Sequence, residues 1–179
     1  MSSKLQSKRY KKGIFIGRFQ PFHVGHRLTL ELAYHVCDEL VVGIGSAQES
    51  GTDRNPFPAD IREEMIKAGL ENTIVNTKRL NILKIPDVHD DDVWVDYILT
   101  YHPDIEIVFT DNDWVAKIFK KRKIETISPL FKRADISSTE VRRMIRKGDD
   151  GWERLVPSKT VPIINRHIEK VTTETANAG

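Results

Sequence analysis

Short apolar runs recur along this chain, each followed by a stretch of helical spacing, and that alternation restricts the fold more than any other feature. Residues 14–16 (IFI), 39–44 (ELVVGI), 80–85, 105–109 and 124–127 read as strands. Between them, residues 28–36, 59–70, 93–101 and 111–121 place apolar side chains at intervals of three and four, as in Ile61, Met65, Ile66 and Leu70. Alternation with short connections predicts an α/β fold, a mainly parallel sheet with helices on both faces. Near-continuous β-branched runs agree, because a strand covered on both sides has no polar face. Beyond Pro129 the sequence turns helical, over 138–147, 152–155 and 161–171. A chain of 179 residues suits one domain with a real core. The predicted organisation is a flexible basic lead-in over 1–12, a single domain over 13–171 and a frayed tail over 172–179.

A formal charge of +2 is too small to argue for nucleic acid. The run Lys120-Lys121-Arg122-Lys123 reads as a solvated helix end. The lone cysteine, Cys37, excludes an internal disulfide and is expected to be a small buried residue late in a helix. No apolar stretch approaches bilayer length, and the basic start has no apolar core behind it, so neither a membrane partner nor a secretory signal is expected. Cytoplasmic residence is the expectation.

The first strand-to-helix passage, Gly17-Arg18-Phe19-Gln20-Pro21-Phe22-His23-Val24-Gly25-His26, concentrates the chemistry. In open α/β sheets ligands bind beyond the carboxyl ends of the strands. A helix start adds unpaired N–H groups that suit an anion. His23 and His26, three apart, share a face on an incipient helix and can reach one ligand. Imidazole accepts a proton when neutral and donates to phosphate when protonated. Two capping histidines are the other reading of the same spacing. No carboxylate or thiol completes a zinc set nearby, so no metal ligands are expected. Gly17 and Gly25 suit a backbone that packs against a nucleotide, where a Cβ has no room. Arg18 and Gln20 complete the phosphate-binding candidates of this segment.

Ile136-Ser137-Ser138-Thr139-Glu140-Val141-Arg142-Arg143 is a second constellation. Ser137 and Glu140 match a capping box. The same hydroxyl-rich start, Ser137, Ser138 and Thr139, also suits an anion, and Arg142 one turn in points back toward it. Arg143 faces elsewhere, toward solvent. Gly45 and Ser46 close the second strand and are candidates for close approach to a ligand. Arg54, in the polar loop 49–58, is either a phosphate clamp or a solvated loop residue. Trp94 follows His89-Asp90-Asp91-Asp92. Its ring can stack on a planar heterocycle or fill the core, while the carboxylates can accept from ribose hydroxyls or complement a helix dipole. Trp114 and Trp152 have no polar company in the sequence and read as packing.

GRFQPFHVGH resembles the His-x-Gly-His signature of the nucleotidyltransferases, and ISSTEVR resembles their second signature. Gly-Ser-Ala-Gln after the second strand, the Arg-Asn-Pro-Phe loop and Ile-Pro-Asp before Trp94 are similar to the archaeal nicotinamide-nucleotide adenylyltransferases. The likeness runs from about residue 13 to 157. It implies a Rossmann-like, doubly wound sheet and the reaction NMN + ATP → NAD⁺ + pyrophosphate, with Mg²⁺ carried on the substrate phosphates. It also implies a homo-oligomer, hexameric in archaeal members. By the same resemblance His23, His26 and Arg142 are the catalytic set, Arg18 and Arg54 hold phosphates, and Trp94 stacks the nicotinamide ring. An asparagine common three positions before that tryptophan is Asp91 here. Transfer to phosphopantetheine or a flavin nucleotide, and a non-catalytic ATP or NAD sensor, are the alternatives.

Overall fold

The computed structural model describes residues 9–128 and 136–172. β1 (Tyr10–Gly17) lies at the centre of a five-stranded parallel sheet, between β2 (Cys37–Ile44) and β4 (Ile107–Phe109). β3 (Asn81–Lys84) pairs outside β2 and β5 (Glu125–Ile127) outside β4, which gives the order β3-β2-β1-β4-β5. The helices α1 (Val24–Val36), α2 (Ala59–Gly69), α3 (Asp91–Tyr101) and α4 (Asp113–Lys121) connect the strands. α5 (Ser138–Arg146), α6 (Val161–Arg166) and α7 (Glu169–Thr172) follow the last one. β1 leads to a strand on one side while β4 lies on the other, so a crevice opens at their carboxyl ends.

Side chains alternate across β1 and divide the core in two. Phe15 packs on one face with Leu30 and Ala33 of α1, Met65 and Ile66 of α2, and Val141 and Ile145 of α5. Ile14 and Ile16 pack on the other with Trp94, Val95 and Ile98 of α3 and Val115 and Phe119 of α4. The expected α/β class, with helices on both faces of a parallel sheet, is the observed one. No helix among the described residues is long and apolar enough to cross a membrane.

Several boundaries differ from expectation, each for a local reason. β1 begins at Tyr10, inside the expected lead-in, because the Tyr10 ring is buried and Lys12 lies 2.9 Å from Glu39 and 2.8 Å from Asp104. Residues 1–8 of that lead-in and 173–179 of the expected tail lie outside the described residues, and Thr172 ends α7. Cys37 opens β2 instead of closing a helix, since its backbone is already extended. Burial pushes its thiol up to about 12, so it is inert at neutral pH. α1 starts four residues before Leu28, and α3 starts at Asp91, because His23 and Asp90 cap them. The helix expected over 161–171 is broken at His167 and Ile168, whose N–H groups reach back three residues, to Ile164 (2.9 Å) and Asn165 (3.4 Å).

Gly13 sits where strands and core meet most tightly. A Cβ there would lie 2.6 Å from Cys37 Sγ and 3.1 Å from Ile107 Cγ2. Gly13→Ala is therefore expected to lower unfolding free energy by about 2 kcal/mol, through overpacking. Urea denaturation of the two proteins measures it; equal midpoints would contradict the crowding.

Candidate active site

The segment after β1 turns sharply before α1 begins. Phe19 takes a left-handed backbone, φ 53°, and a Cβ on Gly17 would come within 3.0 Å of its ring. Gln20 is buried and both ends of its amide bond the backbone of Phe57. Nε2 donates to Phe57 O and Oε1 accepts from Phe57 N, each at 2.9 Å. The Gln20 amide, expected at phosphate, anchors the 49–58 loop, and the residue also borders the cavity.

His23 is the N-cap of α1 and His26 its third residue, and they cap each other. His23 Nδ1 accepts from His26 N (3.3 Å), and His26 Nδ1 accepts from His23 N (3.2 Å). The capping reading is observed, and the same imidazoles line the cavity. Their rings stack with centroids 3.5 Å apart. Phe19 and Phe22 flank His26 at 4.9 and 5.7 Å between ring centroids. A Cβ on Gly25 would lie 3.1 Å from the His23 ring, so this glycine makes room for imidazole. Burial lowers His23 to about 4 and drives His26 well below its ordinary value, with His23 adding to the second shift. Both rings are neutral at pH 7. An Nδ1 that accepts an N–H carries no proton, so the proton sits on Nε2.

α5 reaches back to this segment. Ser138 Oγ donates to Pro21 O (3.0 Å), and Arg142 Nη1 donates to Gln20 O (2.6 Å). Arg142 Nη2 lies 3.4 Å from Thr139 Oγ1. Ser137 caps α5 by accepting from Glu140 N (3.1 Å). Only that half of the capping box forms, because the Glu140 carboxylate takes Arg143 Nε instead (2.7 Å). Ser138, Thr139 and Arg142 line the cavity, and Ser137, outside the lining, caps the helix.

The cavity measures about 640 Å³ and lies over the carboxyl ends of the strands. Gly17, Arg18, His23, His26, Gly45, Ser46, Arg54, Trp94 and Arg142 all border it. Trp94 is a core residue as well, and its indole Nε1 is buried with no hydrogen-bond partner among the described residues. Trp114, which the sequence reading left to packing, borders the same cavity, 41% exposed, its ring centroid 5.1 Å from that of Trp94. Asp91 stands outside the lining and accepts from Trp114 Nε1 (3.0 Å), so its carboxylate holds that ring in place. Asp87 is a lining carboxylate that sequence reasoning missed, held by Gln48.

Arg18, Arg54 and Arg142 bring positive charge to the cavity, and the carboxylates of Asp87, Asp111 and Asp113 border it as well. Among the described residues no carboxylate lies within ion-pair distance of Arg18, Arg54 or Arg142. Burial and then the Arg54 charge lower Arg18; burial, then neighbouring arginines, bring Arg142 to about 10. The loop that carries Arg54 is tied to α5 by Arg146, which donates to Asp53 Oδ1 (2.7 Å) and Asp53 O (3.0 Å). The same guanidinium donates to Val171 O (3.0 Å). Among the described residues no three His, Cys, Asp or Glu side chains gather as a metal site.

A parallel sheet with a histidine pair and arginines beyond its central strand defines a nucleotidyltransferase. The family described as cytidylyltransferase-like matches residues 14–144. The nicotinamide-nucleotide adenylyltransferase of Thermococcus kodakarensis is 39% identical over 155 residues, covering 86% of this chain and 82% of that one. That of Saccharolobus solfataricus is 41% identical over 148 residues, 82% of this chain and 85% of that one. Within the wider class, the chain belongs to the nicotinamide-nucleotide adenylyltransferase family.

Solved structures share the fold. A bifunctional NMN adenylyltransferase/ADP ribose pyrophosphatase from Francisella tularensis, complexed with AMP and manganese, superposes with a TM-score of 0.73 at 19% identity. The match covers 91% of this chain and 52% of that one, so this chain spans about half its length. A nicotinic acid mononucleotide adenylyltransferase of Plasmodium falciparum gives a TM-score of 0.64 at 14% identity, covering 92% and 99%.

The neutral imidazoles set an acid limit on the fold. In the unfolded chain His23 protonates near its ordinary 6.5, whereas in the fold it resists protonation until about 4. Between those values the unfolded state binds more protons, so stability falls as pH drops through the window. A shift of that size corresponds to roughly 3 kcal/mol. Urea unfolding at pH 7 and pH 4 is expected to show a loss of at least that order, since His26 is held neutral as well, and a smaller one in His23→Asn; a flat profile would contradict the burial.

Proposed function

We propose that this chain joins the adenylyl group of ATP to nicotinamide mononucleotide, releasing pyrophosphate and making NAD. The observation that carries the reading is the convergence, in one cavity, of the β1–α1 imidazole pair, Arg142 of α5 and two indole rings. The names of the relatives support the same activity.

The acceptor phosphate is ionised at neutral pH, so its oxygen attacks the α-phosphorus of ATP without a general base. The bond from that phosphorus to the bridging oxygen breaks, and pyrophosphate leaves with the electron pair. The protein has to hold two anions in line and offset charge that builds on the leaving group. Neutral His23 and His26 donate from Nε2–H, His26 toward the triphosphate and His23 toward the α-phosphate. Arg142 faces the leaving phosphates, while Arg18 and Arg54 neutralise phosphates of substrate and product. Gly45 and Ser46 give a close backbone wall, and Trp94 with Trp114 offers aromatic faces to the pyridine ring. Magnesium, which the resemblance implies, would be carried on the triphosphate and would offset its charge. The resemblance further implies a homo-oligomer in the cytoplasm, which light scattering and cell fractionation test.

Pyrophosphate release with ATP and a panel of mononucleotide, flavin and phosphopantetheine acceptors is the direct test, and NMN is expected to be the productive partner. Loss of one preorganised donor costs on the order of 3 kcal/mol, so His26→Ala is expected to lower kcat roughly a hundredfold with the helical signal retained. Wild-type turnover in that variant would remove the histidine from the mechanism. Trp114→Ala is expected to raise KM for the mononucleotide about tenfold, the range of a lost ring stack, and to leave KM for ATP nearly unchanged. Equal shifts for both substrates would assign Trp114 to packing.

A further inference from the structure

Arg62 is the one fully buried charged residue among those described, at 0% exposure, and it does not line the cavity. It lies on the inward stripe of α2 with Met65 and Ile66. Its guanidinium bonds four backbone carbonyls and, among the described residues, no carboxylate. Nη1 donates to Arg18 O (3.0 Å) and Gly45 O (2.8 Å), and Nη2 donates to Ser46 O (3.0 Å) and Glu49 O (3.4 Å). Those acceptors come from two different segments, the exit of β1 and the exit of β2.

The positions gripped are informative. Phe19 and Ser46 are non-glycine residues with left-handed backbones, φ 53° and 48°. The carbonyls of Arg18 and Gly45 are the peptide groups that enter those two residues, and the Ser46 carbonyl leaves the second. A left-handed conformation in a non-glycine residue costs about 1–3 kcal/mol and persists only where the surroundings impose it. A planar guanidinium is well suited to impose it, because its fork fixes the directions of several acceptors together. Burial lowers Arg62 to about 10, so it remains charged at neutral pH.

We infer that Arg62 is a positioning residue: one guanidinium holds the β1 and β2 exits at a fixed spacing, and thereby sets Arg18 against the Gly45–Ser46 wall for the reaction. The activity half of this inference rests on the proposed adenylyl transfer; the positional half does not. A purely structural arginine would be equally well placed in the core beneath one segment. This one bridges two segments, and three of its four acceptor residues border the cavity. Lysine keeps the charge but loses the fork, so it cannot hold both exits in the same geometry.

The test uses Arg62→Lys and Arg62→Gln in the full chain, with amide hydrogen exchange, thermal unfolding and steady-state kinetics. Exchange needs no substrate, so it reads the brace even if the assigned reaction is wrong. In Arg62→Lys, amides of residues 18–20 and 45–49 are expected to exchange about tenfold faster while the centres of β1 and β2 keep their protection. With ATP and NMN, kcat is expected to fall about tenfold or more through misalignment, with Arg62→Gln worse than Arg62→Lys. Exchange that rises evenly over the whole chain, or a folded Arg62→Lys with unchanged kcat and KM, would overturn the inference. A lysine variant that does not fold would overturn it too, by making Arg62 a requirement of the core. Locally faster exchange in Arg62→Lys, together with a wild-type protein inactive with every acceptor, would keep the brace and reject the assigned reaction.

Discussion

Parallel pairing of β1 on both edges is the constraint from which the remaining geometry follows. A strand between two parallel neighbours sends its continuation over the carboxyl end of the sheet, where no further strand can cover it. The segment that leaves β1 must therefore turn over an open crevice before α1 can start. Three parts of the cavity wall are fastened to this turn. Gln20 holds the 49–58 loop, Arg142 and Ser138 dock α5, and the two histidines begin α1.

Charge and donation are divided between residue types. Packing His26 among Phe15, Phe19 and Phe22 removes water from the imidazoles and leaves them neutral. Neutral rings fixed in one tautomer are good directional donors but supply no net charge. The positive potential comes from arginines, which stay ionised through the same desolvation because their starting affinity for protons is so much higher. Reaction partners that both carry phosphate fit such a site, since charge and direction are set by different groups.

Much of this was legible in the sequence, and the gaps have physical causes. Period and β-branching locate strands and helices because they report burial; the first signature borders the cavity from a strand end, and Ser138, Thr139 and Arg142 of the second border it from a helix start. Helix starts were misjudged at α1 because histidine is an unusual cap, visible only once the reciprocal bonds are seen. The partners of Gln20 and Asp91, Phe57 and Trp114, lie 37 and 23 residues away, beyond the reach of local pattern. Trp114 was left to packing for the same reason. Arg62 did leave a trace, a charge on the stripe shared by Met65 and Ile66, which is where a charged side chain is least at home.

Arg146 gives the far end of the chain a say in the middle of it. Its guanidinium touches Val171 in α7 and Asp53 beside Arg54, although these segments share no strand or helix. Trimming the polypeptide before α7 would free one side of that guanidinium, and the Arg54 loop would lose rigidity without any change in its own residues.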